Sequence, residues 1–122
     1  MEKVSIFGVE ICNISFEENI KILRDFLQSK KLNRIYTPNT EIVMTAKEDK
    51  NLRDLINRAE LVIADGIGLI YGSKMRKKPL KERVTGFDTS VELLKLADEL
   101  GLNLYFLGGV EGVAKDLSLI HI

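Results

Sequence analysis

In "LVIADGIG", residues 61–68, an apolar run ends on Asp65, and Gly66 and Gly68 follow. An Asp before a Gly is a common turn. A carboxylate at the mouth of a buried strand is also held rigidly, and could take a proton from a sugar hydroxyl. Thr37 and Asn39 flank Pro38 in "YTPNTE". Asn39 reads as a helix cap and Thr37 as a strand residue, but an amide and a hydroxyl there could also hold sugar hydroxyls. Arg83 in "ERVTGFD" is either one more solvated base or a fork suited to a diphosphate. Gly108 and Gly109 open "GGVEG", where amides exposed at a helix start favour phosphate or diphosphate. The spacing is not G-x-G-x-x-G, so that glycine pair is a weak indication by itself.

These residues need a frame to bring them together. "VSIFGVEI" (4–11) predicts two short strands about Gly8. Ser15 and Glu18 form a capping box, and Phe16, Ile20, Leu23 and Leu27 recur at helical spacing. "NRIYTP" (33–38) predicts a strand stopped by Pro38, with Asn39 capping the helix after it. Asp49 caps another helix, on which Leu52, Leu55, Ile56 and Ala59 share a face. "LVIA" (61–64) is the next strand, with a short helix expected over 67–74. Thr89 and Glu92 make a second capping box, and that helix runs to Gly101. "LNLYFLGG" (102–109) predicts a strand entering a glycine turn, and "VEGVAKDL" begins a further helix. Three short strands, apolar on both faces and alternating with helices, predict an α/β fold. The expected form is an open, mostly parallel, Rossmann-like sheet flanked by helices, with an N-terminal β-hairpin. Ligands of such sheets bind beyond the carboxyl ends of the strands, where Thr37, Asn39, Asp65, Gly108 and Gly109 fall.

Composition sets bounds on partners. Among 122 residues, 18 bases balance 18 acids, so global charge gives no argument for nucleic acid. The segment "KMRKKPLKER" (74–83) concentrates Lys74, Arg76, Lys77, Lys78, Lys81 and Arg83 against Glu82 alone. That is a solvated loop, or a basic face for an anionic ligand or membrane surface. Cys12 is the one cysteine, which fits a reducing compartment. The first residues lack a signal-peptide pattern and no apolar run approaches a membrane span, so a cytoplasmic location is expected, with any membrane contact peripheral. No Cys/His cluster and no D-x-D pair occurs, so no metal cofactor is expected. Arg and helix dipoles would then offset a bound diphosphate. His121 receives no role.

"TPNTEIVMTA", "ADGIGLIYGSK", "KPLKERVTGFD" and "LYFLGG", in this order and spacing, resemble the bacterial WecG/TagA/CpsF glycosyltransferases. The likeness spans nearly the whole chain from Ile6 to about Lys115. It implies inverting transfer from a UDP-sugar, with N-acetylmannosamine as the expected sugar. The implied acceptor is N-acetylglucosamine on undecaprenyl diphosphate, at the inner face of the membrane, in teichoic acid or other cell-surface polysaccharide synthesis. By the same resemblance Asp65 is the base, Thr37, Asn39 and Gly66 line the pocket, and Arg83 meets a diphosphate. The family pattern also implies a longer chain. Residues 1–116 are therefore expected to be the N-terminal part of one glycosyltransferase domain, and 117–122 ("LSLIHI") a non-native tail. Two other readings stay open: a non-catalytic nucleotide-binding module using Gly108 and Gly109, and an inactive fragment whose exposed apolar surface forces self-association or a homo-oligomer.

Overall fold

The computed structural model describes residues 2–64 and 84–120. The predicted N-terminal hairpin is present as β1 (Lys3–Ile6) and β2 (Val9–Cys12), paired antiparallel with Ile6 opposite Val9. Phe7 and Gly8 make its two-residue turn, both at positive φ (50° and 87°), which suits the twist of the flanking strands. Lys3 and Ser5 face out while Val4, Ile6, Val9 and Ile11 are buried, so one hairpin face supplies the core.

The turn is pinned from 49 residues away. Asn57 Nδ2 donates to the Gly8 carbonyl at 2.8 Å, and Glu10 N–H donates to Asn57 Oδ1 at 2.9 Å. A Cβ on Gly8 would stand 2.7 Å from Arg53 Cδ, so that side chain would have to move, and the φ of 87° itself favours glycine. The Lys47 ammonium lies 4.9 Å from the Phe7 ring centroid.

Helix α1 (Phe16–Gln28) starts at the predicted capping box, with Ser15 Oγ accepting from Glu18 N–H and Glu18 Oε1 accepting from Ser15 N–H. Strand β3 (Ile35–Tyr36) leads into α2 (Thr40–Glu48), capped by Asn39, and α3 (Lys50–Asn57), capped by Asp49. The chain then returns as β4 (Leu61–Val62), parallel to β3, with Ile35 opposite Leu61 and Tyr36 opposite Val62. Leu61 through Ala64 are all buried, as a parallel strand covered on both faces must be. At the amino end of this pair, Glu60 accepts from the Arg34 N–H at 2.6 Å and from both arms of its guanidinium at 3.2 Å. The pair sits beside the hairpin, where Val62 N–H donates to Cys12 Sγ.

Helix α4 (Gly86–Leu100) ends on Gly101 in the left-handed conformation, as expected, but starts four residues earlier than predicted. Its cap is Thr85, whose hydroxyl accepts from Asp88 N–H at 3.0 Å. Thr89 is not a cap. It lies inside the first turn, 2% exposed, with its hydroxyl donating to the Thr85 carbonyl at 2.8 Å. Helix α5 (Val113–Ile120) follows the glycine turn, as the sequence suggested.

The α/β class holds, but the Rossmann-like open sheet is not what the described residues form. They give two separate two-stranded sheets, one antiparallel and one parallel. The predicted strand over 102–109 is not one. Leu104, Tyr105 and Leu107 are 53%, 86% and 90% exposed, and no described strand pairs with them. A strand is held by its ladder, and propensity without a neighbour does not supply one. The predicted helix over 67–74 lies outside the described residues.

Candidate functional site

The parallel pair fixes where its two ends point. Ile63 N–H donates to the Tyr36 carbonyl at 2.9 Å, so the last rung sits where β3 gives way to Thr37. The carboxyl ends of β3 and β4 therefore share one edge, at Thr37 on one side and Ile63–Ala64 on the other. Pro38 is buried and fixes the backbone between Thr37 and the cap of α2.

Into this edge comes the start of α4. A Cβ on Gly86 would lie 3.0 Å from Thr37 Cγ2 and 3.4 Å from Thr37 Oγ1, so the bare backbone of the first helical residue packs on that side chain. Segments 49 residues apart in sequence, "YTPN" and "VTGFD", thus meet at one place. Two helix N-termini, those of α2 and α4, flank Thr37. Each is capped by a side chain, Asn39 and Thr85, and each carries an acid in its first turn, Glu41 and Asp88, which complements the positive end of the helix.

The sequence-predicted residues divide accordingly. Thr37 is half-buried at the edge, against Gly86. Asn39 is exposed on the same side, and its Oδ1 is used in capping, accepting from Ile42 N–H at 2.9 Å. Asp65, Gly66 and Arg83 lie outside the described residues, as does the basic segment 74–83. Gly108 and Gly109 have φ of 126° and 74° and are exposed. Among the described residues, nothing comes within 4 Å of a Cβ built on Gly108, and only Val113 does so for Gly109. The structure therefore does not bring that glycine pair against Thr37.

Sequence reading missed two residues near the edge. Asn19 in α1 and Thr89 in α4 are both buried, and Asn19 Nδ2 donates to Thr89 Oγ1 at 3.0 Å. Among the described residues, Asn19 Oδ1 is buried with no hydrogen-bond partner. An orphaned buried oxygen costs about 1–3 kcal/mol. A sequence sign existed: Asn19 is four residues before Leu23, the buried centre of the α1 stripe, where an apolar side chain is expected. Farther along, Arg24 forms a two-armed bridge to Glu99, both contacts at 3.3 Å, so the two helices run together with their first turns adjacent.

The strongly shifted carboxyl lies elsewhere. The Arg34 side chain and backbone N–H hold Glu60 well below the usual carboxylate range, at about 2, and Glu60 in turn raises the Arg34 guanidinium. That pair fastens the amino end of β3 to β4, opposite the candidate edge, so its perturbation marks a structural clamp. Among the described residues no helix is long and apolar enough to cross a membrane.

The profile of the glycosyl transferase WecG/TagA/CpsF family matches residues 4–119. The chain belongs to this family. Among curated proteins it is similar to the N-acetylglucosaminyldiphosphoundecaprenol N-acetyl-β-D-mannosaminyltransferases of Staphylococcus aureus strains NCTC 8325 and COL. Each is 30% identical over 115 residues, covering 93% of this chain and 45% of the relative. The chain thus spans less than half the length of these relatives. The WecG/TagA/CpsF match runs through the hairpin, the parallel pair and α4, and so includes both segments that meet at Thr37 and Gly86.

Proposed function

We propose that this protein acts in inverting glycosyl transfer. It moves N-acetylmannosamine from a UDP-sugar to N-acetylglucosamine carried on undecaprenyl diphosphate, in the synthesis of teichoic acid or another cell-surface polysaccharide. The observation that carries this reading is the family match over residues 4–119, which takes in both halves of the Thr37–Gly86 edge. The name of the relatives supplies the acceptor and the transferred sugar. A lipid-borne acceptor supports work at a membrane surface; the proposed place is its cytoplasmic face, with the protein bound peripherally.

In the proposed mechanism Asp65 takes the proton from the acceptor hydroxyl. The hydroxyl oxygen attacks the anomeric carbon from the face opposite UDP, and the bond from that carbon to the diphosphate oxygen breaks. UDP leaves with the electron pair and the configuration inverts. Thr37 and the Asn39 amide hold sugar hydroxyls, and Gly66 is proposed to contribute to substrate binding. Arg83 and amides at the helix starts meet the developing charge on the diphosphate. Gly108 and Gly109 are proposed to add amides on the nucleotide side. The missing D-x-D pair supports a metal-free reaction, which would persist in EDTA.

The test is a transfer assay with UDP-N-acetylmannosamine and a short-chain lipid diphosphate acceptor, using the protein as the cell makes it and Asp65→Asn. Loss of a general base lowers turnover about 10²–10⁴-fold while UDP binding is kept. Wild-type turnover by Asp65→Asn would remove Asp65 from the chemistry. UDP binding without transfer would favour a non-catalytic nucleotide-binding module.

A further inference from the structure

We propose that Asn19 is a positioning residue for the Thr37 edge, acting through Thr89 and the first turn of α4. The inference rests on the functional reading of that edge. Its physical basis is a continuous set of contacts. Asn19 Nδ2 holds Thr89 Oγ1, and Thr89 Oγ1 holds the carbonyl of Thr85, the cap residue of α4. The residue after that cap, Gly86, lies directly on Thr37. A shift of Asn19 is passed to the place where α4 begins, and from there to the side chain at the strand end.

Two further observations separate this role from ordinary core packing. The Thr89 hydroxyl has given its proton to Thr85, so it can only accept from Asn19. That fixes the Asn19 amide with nitrogen toward Thr89 and leaves Oδ1 fully buried with no partner among the described residues. A residue chosen only for stability would be leucine, which fills similar space and strands no oxygen. A polar group kept at a cost to the fold is typical of positions that serve geometry instead. The second observation is position. The Arg24–Glu99 bridge joins α1 and α4 at an exposed place farther along both helices, so the buried Asn19–Thr89 bond is the contact that sets their first turns against each other.

The experiment compares Asn19→Leu, Thr89→Val and Thr89→Ser in the protein as the cell makes it. Thermal unfolding is read alongside kcat and KM for the UDP-sugar. The expected result is a near-native melting midpoint for Asn19→Leu and a lowered one for Thr89→Val, which strands the buried Asn19 amide, with kcat/KM down about tenfold in both and most of the change in donor KM. Thr89→Ser, which keeps the hydroxyl, restores the wild-type value. The double variant is no worse than either single one, because the residues act in one chain of contacts. Native kcat/KM in both Asn19→Leu and Thr89→Val, or a double variant whose losses multiply, overturns the proposal.

A second readout does not need activity. The Thr37 methyl and Gly86 amide resonances move in Asn19→Leu and return in no variant that lacks the hydroxyl of Thr89. Unmoved Thr37 resonances would refute the positioning role even in an active enzyme. If the wild type neither binds a UDP-sugar nor transfers one, the proposed function fails, and these resonances alone decide the role of Asn19.

Discussion

Replacing Gly86 with alanine tests the contact on which the candidate edge depends. The added Cβ would sit 3.0 Å from Thr37 Cγ2 and 3.3 Å from Thr37 Cβ, where ordinary contact begins at 3.4 Å. Thr37 is held by Pro38 on one side and the last β3–β4 rung on the other, so it cannot swing away freely. Overpacking of this kind costs about 1–3 kcal/mol. Gly86 is not at positive φ, so alanine also recovers about 0.4–1 kcal/mol through the unfolded chain. The net expectation is a loss near 1 kcal/mol, about 4 °C in melting midpoint for a domain of this size. Circular dichroism against temperature and urea measures it. The decisive partner is Thr37→Ser, which removes Cγ2, the atom at closest approach. Gly86→Ala in that background should lose less than in the wild type, by about 0.5 kcal/mol or more. Equal losses in the two backgrounds, or a Gly86→Ala protein more stable than wild type, would show that the helix start does not rest on Thr37.

Other perturbations read other parts of the frame. Asn57→Ala removes both bonds that pin the hairpin turn and strands the Glu10 amide, so a loss of about 1–3 kcal/mol in urea unfolding is expected. Removing Asp65 as a base, by Asp65→Asn, lowers transfer about 10²–10⁴-fold with UDP binding intact, as measured by calorimetry. The Arg34–Glu60 clamp gives a pH dependence of definite sign. Glu60 has a folded pKa of about 2 against an ordinary 4.5, so the unfolded chain binds the proton more readily. The stabilisation is complete above pH 4.5 and is lost as pH falls through about 2. Glu60→Gln should flatten the urea midpoint against pH in that window, and an unchanged acid limb would refute the clamp.

What could be read from the sequence follows from how far each determinant reaches. The Ser15–Glu18 box, the Asn39 and Asp49 caps and the Gly101 stop are set within four residues, and all appear as expected. The start of α4 was placed four residues too late for a specific reason. "TGFD" and "TSVE" both carry a threonine with an acid three residues on, so both satisfy a capping pattern. Contact with Asn19, 70 residues away, buries Thr89 and leaves the cap to Thr85. The stretch 102–109 failed for the complementary reason, since its residue types fit a strand but its pairing partners are not local. At the site, the shared edge of Thr37 and β4 followed from strand order. The approach of Gly86 to Thr37 is long-range, and no local pattern announces it.

The span of the contacts around Thr37 also sets an order in time. The hairpin closes across two residues, whereas the edge requires Thr37 to meet Gly86 and Asn19 to meet Thr89, 70 residues apart. Loop closure costs about 0.6 kcal/mol more for each doubling of length, so the hairpin forms early and the docking of α4 late. The same asymmetry governs opening. Release of α4 from α1 dismantles the edge while the hairpin and its Asn57 pin stay intact. Amides of α4 should therefore exchange with solvent faster than those of β1 and β2, and the candidate site should be lost before the domain unfolds.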